Sequence, residues 1–156
     1  VSDVTVPAPE DLDPLALENQ VCFALAVASR SVIALYRPLL EPMGLTHPQY
    51  LAMLALWQRE PLSVKELSGL LQLEPATMSP LLKRLEAAGL VLRERAGRDE
   101  RSLAVGLTEE GRRLRAEALR IPPAIVERLG MDVAELQDLH RALTRVIGAA
   151  TAAPGA

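Results

Sequence analysis

The sequence predicts a mainly α-helical fold with one small β-hairpin, in the order of a winged helix-turn-helix. Three observations predict it. Two short amphipathic helices with separate start signals follow one another between Ser63 and Ala88. Two alternating segments, Leu90–Arg95 and Leu103–Leu107, then flank a polar tip over 96–102. Longer apolar helical patterns lie on both sides. Aromatic residues are only 3% of a chain that is 49% hydrophobic, so the core must be Leu, Ala, Val and Ile in closely packed helices.

The elements follow in order. Residues 1–13 carry Pro7, Pro9 and several acids with little to bury, which predicts a mobile arm. From Pro14, which suits a first helical turn, to about Leu40, apolar residues recur at steps of three and four: Leu15, Val21, Cys22, Leu25, Ala28, Val32, Leu35 and Tyr36. Pro38 and Pro42 close that helix. Thr46 with Gln49 is a capping-box signature for a helix to about Arg59, expected to bury Leu51, Leu54, Ala55 and Trp57. Ser63 with Glu66 repeats it for a short helix through Leu71. The next helix starts near Pro75 or Thr77 and stops at Gly89. Pro80 is harmless there if Thr77 is the cap, but removes an internal hydrogen bond if Glu74 is. After the hairpin, Thr108 with Glu109 and Glu110 opens another helix, with Gly111 its weak spot. Pro122–Pro123 must break it near Ile121, and Asp132 with Glu135 starts a last helix to about Ala149. The chain thus divides into an arm (1–13), an N-terminal helix (14–45), a winged lobe (46–108), C-terminal helices (109–150) and a tail (151–156).

At 156 residues the chain is one domain by length. No apolar run is read as reaching the ~18 residues of a membrane span, and no leader is evident, so a soluble, cytoplasmic protein is expected. One cysteine, Cys22, excludes an intramolecular disulfide or a multi-cysteine zinc site, and His47 and His140 lack metal-ligand spacing. No metal, cofactor or catalytic residue is expected. The net charge of −3 is unevenly spread: residues 1–20 carry −5, residues 78–98 carry +3. Phosphate contacts depend on local potential, so the basic segment outweighs the total.

That segment suits duplex DNA. In the second helix of the pair, Met78, Leu81, Leu82, Leu85 and Ala88 form a stripe to bury, leaving Ala76, Thr77, Ser79, Pro80, Lys83 and Arg84 for a major groove. Small polar residues approach base edges, while Lys83 and Arg84 reach phosphates or guanine. The hairpin carries Arg93, Arg95, Arg98 and Arg101. Arg98 is expected on DNA and Asp99 to hold Arg101 in shaping the wing, although Arg101 could equally be the minor-groove contact.

The run DERSLAVGLTEEG, Asp99 to Gly111, resembles the wing signature of the MarR family. LENQVCFALAVASR (17–30), YRPLLEPMGLTHPQYLAMLALW (36–57) and PATMSPLLKRLEAAGLV (75–91) resemble its organic hydroperoxide resistance regulator branch. The resemblance covers nearly the whole chain except both tails. It implies a homodimeric repressor paired through its N- and C-terminal helices and released from operator DNA when a cysteine is oxidised. The sensing cysteine corresponds to Cys22. Two tyrosines that bond to its sulfur correspond to Tyr36, which is retained, and to His47; a third corresponds to Ala26.

Cys22 and Tyr36 are 14 residues apart, about 21 Å along one helix, so the two can meet only between chains. Only a thiolate attacks peroxide quickly, and an early helical position favours it. A protonated His47 would stabilise the thiolate and make sensing depend on pH. Without a second cysteine, the sulfenic acid must meet a low-molecular-weight thiol, a backbone nitrogen or further oxidant. Phe23, Leu25, Val32 and Leu35 make the surroundings apolar, which favours an organic hydroperoxide over hydrogen peroxide. Two other functions fit less well. One is the same repressor released by a phenolic ligand, with Cys22 structural; the other is a thiol peroxidase, for which neither a resolving cysteine nor an α/β pattern is evident.

Overall fold

The computed structural model describes residues 13–95 and 103–152. The arm before residue 13, the wing tip with Arg98, Asp99 and Arg101, and the tail beyond residue 152 lie outside the described residues. The first long helix, α1, spans Val21–Leu40, not Pro14–Leu40. Side-chain amides cause the difference. Asn19 Nδ2 donates to the Asp13 carbonyl (2.8 Å) and Gln20 Nε2 to those of Pro14 (2.8 Å) and Ala16 (2.9 Å). They fold the preceding stretch into a 3-10 turn at Leu17–Asn19.

Helix α2 (His47–Gln58) begins with the expected capping box: Gln49 N–H donates to Thr46 Oγ1 (3.4 Å), and Thr46 N–H donates to Gln49 Oε1 (2.9 Å). Its inward face differs from expectation. Tyr50, Ala52, Met53 and Leu56 are buried, Leu54 is exposed, and Leu51, Ala55 and Trp57 are half-buried. The helix is apolar all round, so periodicity could not choose a face. Strand β1 (Leu62–Ser63) leads into α3 (Val64–Leu71), capped by Ser63 and Glu66. Helix α4 (Pro75–Ala87) takes Glu74 as its N-cap, so Pro80 is internal and removes the amide that would bond the Ala76 carbonyl.

Strands β2 (Val91–Arg95) and β3 (Leu103–Leu107) form the expected hairpin. The two-residue β1, unforeseen, adds a third strand in the order β1-β3-β2, with Leu62 opposite Val105 and Val91 opposite Leu107. The core lies between this sheet and α2 to α4, where Met53, Leu56, Leu67, Met78, Leu82 and Leu85 are fully buried. Helix α5 (Glu109–Ala118) leaves the sheet, the chain breaks before Pro122–Pro123 into α6 (Ile121–Leu129), and α7 (Val133–Ala152) completes the described chain. Asp132 and Glu135 cap α7 reciprocally, at 2.8 and 3.4 Å.

The two longest helices are the least covered. Helix α1 buries only Leu40, and α7 buries nothing. Together with the turn after it, α1 also corrects the expectation that no segment matches a membrane span. Val21–Met43 is long and apolar enough by length and composition, with mean hydropathy 1.4, because Arg30, Arg37 and Glu41 are its only charges.

Candidate nucleic-acid interface and redox site

Helix α4 turns one face inward and one outward. Met78, Leu81, Leu82 and Leu85 are buried, as the spacing requires, while Ala88 at its end is exposed. Ala76, Thr77, Pro80, Lys83 and Arg84 are exposed and Ser79 is half-buried. All six outward residues expected to read DNA therefore share a face. Among the described residues, neither Lys83 nor Arg84 is held in an ion pair, so both cations are available.

The hairpin stands beside that face, with its base fixed by polar contacts. Arg93, one of the basic residues of the wing, is spent on structure: its Nε donates to Glu86 Oε2 at 3.0 Å, tying β2 to α4. Thr108 donates its hydroxyl proton to the Gly89 carbonyl (2.6 Å) and accepts from Gly111 N–H (3.0 Å). Glu60, which the sequence reading passed over, accepts from Leu107 N–H (2.6 Å) and from Arg112 Nε (2.9 Å). The Leu107 bond, opposed by burial and helped by Arg112, holds its carboxyl below the usual range. Arg95 is the last residue of β2, and Arg98, Asp99 and Arg101 fall outside the described residues.

The second group of candidate residues is split between two places. Cys22 is exposed in the first turn of α1. Tyr36 lies 14 residues further on the same helix, which separates the two by about 21 Å. Tyr36 and His47 do come together: their rings meet edge to face with centroids 4.9 Å apart. Tyr50, absent from the sequence expectations, joins them at 5.8 Å from Tyr36 and 6.5 Å from His47. Its spacing of three from His47 on a helix was the signal that could have found it.

Burial lowers the His47 pKa, and its place in the first turn of α2 disfavours positive charge as well. In the single copy both influences favour the neutral imidazole, with one N–H donor and one acceptor. Burial pushes the Tyr36 phenol above its usual range; burial and then Tyr36 do the same for Tyr50. Both stay protonated and able to donate.

A family model described as the MarR family matches residues 45–103. The organic hydroperoxide resistance transcriptional regulator of Bacillus subtilis (strain 168) is 43% identical over 131 residues, covering 84% of this chain and 89% of that protein. A probable transcriptional regulator from Pseudomonas aeruginosa superposes with a TM-score of 0.77 at 26% identity, over 84% of this chain and 99% of that one. Reduced AbfR bound to DNA superposes with a TM-score of 0.67 at 33% identity, over 83% of this chain and 93% of that one. AbfR, from Staphylococcus epidermidis, also has an overoxidised DNA-bound structure and a disulfide form.

Proposed function

The chain belongs to the MarR family of transcriptional regulators, and on that premise we propose that two copies pair to repress from operator DNA and release it when an organic hydroperoxide oxidises Cys22. The observation that carries this reading is the separation of the Cys22 sulfur from the Tyr36–His47 pair along an uncovered helix. A second copy is the occupant that brings them together. Val21, Phe23 and Val27 on α1 and Val133, Val146 and Ile147 on α7 are exposed in one copy. Each such side chain contributes about 1.5–3 kcal/mol when fully buried. A bilayer suits α1 poorly, since Arg30 lies at mid-helix and Leu35, Leu39 and Leu40 pack on the core.

In the paired state, Tyr36 and neutral His47 of one subunit donate to the sulfur of the other and favour its thiolate. The thiolate attacks the terminal, hydroxyl-bearing oxygen of the hydroperoxide, and the S–O bond of a Cys22 sulfenic acid forms as the O–O bond breaks. The alkoxide leaves and takes a proton, so sulfur is oxidised by two electrons and the peroxide is reduced to an alcohol. The sulfenic acid passes to a small thiol, a backbone nitrogen or a second peroxide, because the lone cysteine has no partner within its chain. The exposed residues of α4 enter the major groove, and the wing, through Arg95, Arg98 and Arg101 with Asp99, follows the flanking groove.

Stoichiometric cumene hydroperoxide is expected to release wild type from its duplex and to leave Cys22→Ser bound; release of the variant excludes the redox step. One observation favours a second reading with a non-covalent phenolic effector: a cleft of about 270 Å³ between α2, α5 and α6, walled by Tyr50, Leu54, Trp57 and Leu119 with Arg115 at its edge. Release of Cys22→Ser by salicylate without peroxide would select it.

A further inference from the structure

Strand β1 pairs with β3 in the register Leu62 opposite Val105 and Ser63 opposite Ala104. Continued two residues further, that register sets residue 60 opposite Leu107. There a side chain takes over from the main chain. The Leu107 N–H donates to Glu60 Oε2 at 2.6 Å, and the other carboxylate oxygen accepts from Arg112 Nε at 2.9 Å. One carboxylate thus joins three elements: the end of α2, the last residue of β3 and the first turn of α5. Trp57 Nε1, one turn earlier, adds a parallel tie to the Gly111 carbonyl at 2.8 Å.

The location gives that junction leverage. Strand β3 is paired on both sides, so its placement fixes the hairpin as a whole. On the opposite edge, Arg93 and Glu86 hold β2 to α4. With both edges held, the described strands are fixed against α4 on one side and against α2 and α5 on the other, so a displacement at Leu107 moves β3 and, through its ladder, β2.

We propose that Glu60 is a positioning residue for the wing, its carboxylate fastening the base of β3 to α2 and α5 and so setting where the arginine-bearing tip meets the duplex. This role rests on the DNA-binding reading above. Phosphate contacts made by the wing depend on Glu60, although Glu60 itself touches no DNA.

The test compares the full-length wild type, Glu60→Ala and Glu60→Gln on a duplex oligonucleotide selected by the wild type from a random pool, across a salt series. Glu60→Ala is expected to bind about tenfold more weakly, with a salt slope shallower by about one to two, the mark of lost phosphate contacts. Glu60→Gln keeps an oxygen for Leu107 but loses the acceptor for Arg112, so it is expected to recover most of the slope and to fall short of wild type by no more than Arg112→Gln does. Amide hydrogen exchange at Leu107, without DNA, is expected to quicken in Glu60→Ala and stay slow in Glu60→Gln. If Glu60→Ala does not fold, Arg112→Gln, which removes the tie to α5, is expected to lower the slope by a smaller amount. Wild-type affinity and slope in the folded Glu60→Ala, or in Arg112→Gln where that variant replaces it, overturn the proposal, as does equal loss in Ala and Gln variants with Leu107 still protected. A wild type that selects no duplex is a distinct failure, of the DNA-binding reading itself.

Discussion

His47 shows how much a single side chain depends on where its helix begins. It occupies the first turn of α2, against Tyr36 and Tyr50, where burial lowers its pKa. The unfolded chain therefore takes up a proton first as pH falls. Stability attributable to this residue is complete above the ordinary value of about 6.5 and is lost as pH drops through the lower folded value. The denaturation midpoint of wild type is expected to fall more steeply than that of His47→Gln between about pH 7 and about pH 5. Parallel slopes in urea titrations would show that the imidazole contributes nothing. A neutral imidazole also means that the Tyr36–His47 pair offers hydrogen-bond donors without charge.

At the scale of elements, the joint between sheet and α5 is the tightest. An added Cβ at Gly111 would run into the Leu90 carbonyl oxygen and press on the Leu107 side chain at 3.3 Å. Gly111→Ala is therefore expected to destabilise the protein by about 1–3 kcal/mol, read as a lowered midpoint in chemical denaturation. The sequence showed this glycine as a weak spot in a helix; the close approach of α5 to the strand explains its presence. Elements with local signals were legible in advance: Thr46–Gln49, Ser63–Glu66 and Asp132–Glu135 each opened the helix expected of them. What depended on distant partners was not. The two-residue β1 has no pattern of its own, the inward face of α2 is chosen by its neighbours, and Glu60 acquires its partners 47 and 52 residues away. The candidate site divides the same way. The outward face of α4 followed from helical spacing, whereas Tyr50 beneath Tyr36 and His47, and the engagement of Arg93 by Glu86, required the packed chain.

The whole molecule is lopsided in its burial. The lobe around α2 to α4 is closed, and the helices at either end of the described chain are open. If α1 and α7 pair with a second copy, a charge at their centre must separate the subunits. Ile147→Glu is expected to raise the dimer dissociation constant at least about a hundredfold, equivalent to about 3 kcal/mol, by sedimentation equilibrium. An unchanged association would exclude α7 from the interface. Between open helices and closed lobe stands the only tryptophan, Trp57, half-buried, its indole N–H bonded to the Gly111 carbonyl at 2.8 Å. That bond crosses from α2 to the helix leading out toward α6 and α7. Indole emission is sensitive to such a bond and to wetting of the ring, so the protein's intrinsic fluorescence is a built-in gauge of that crossing, readable without any attached dye.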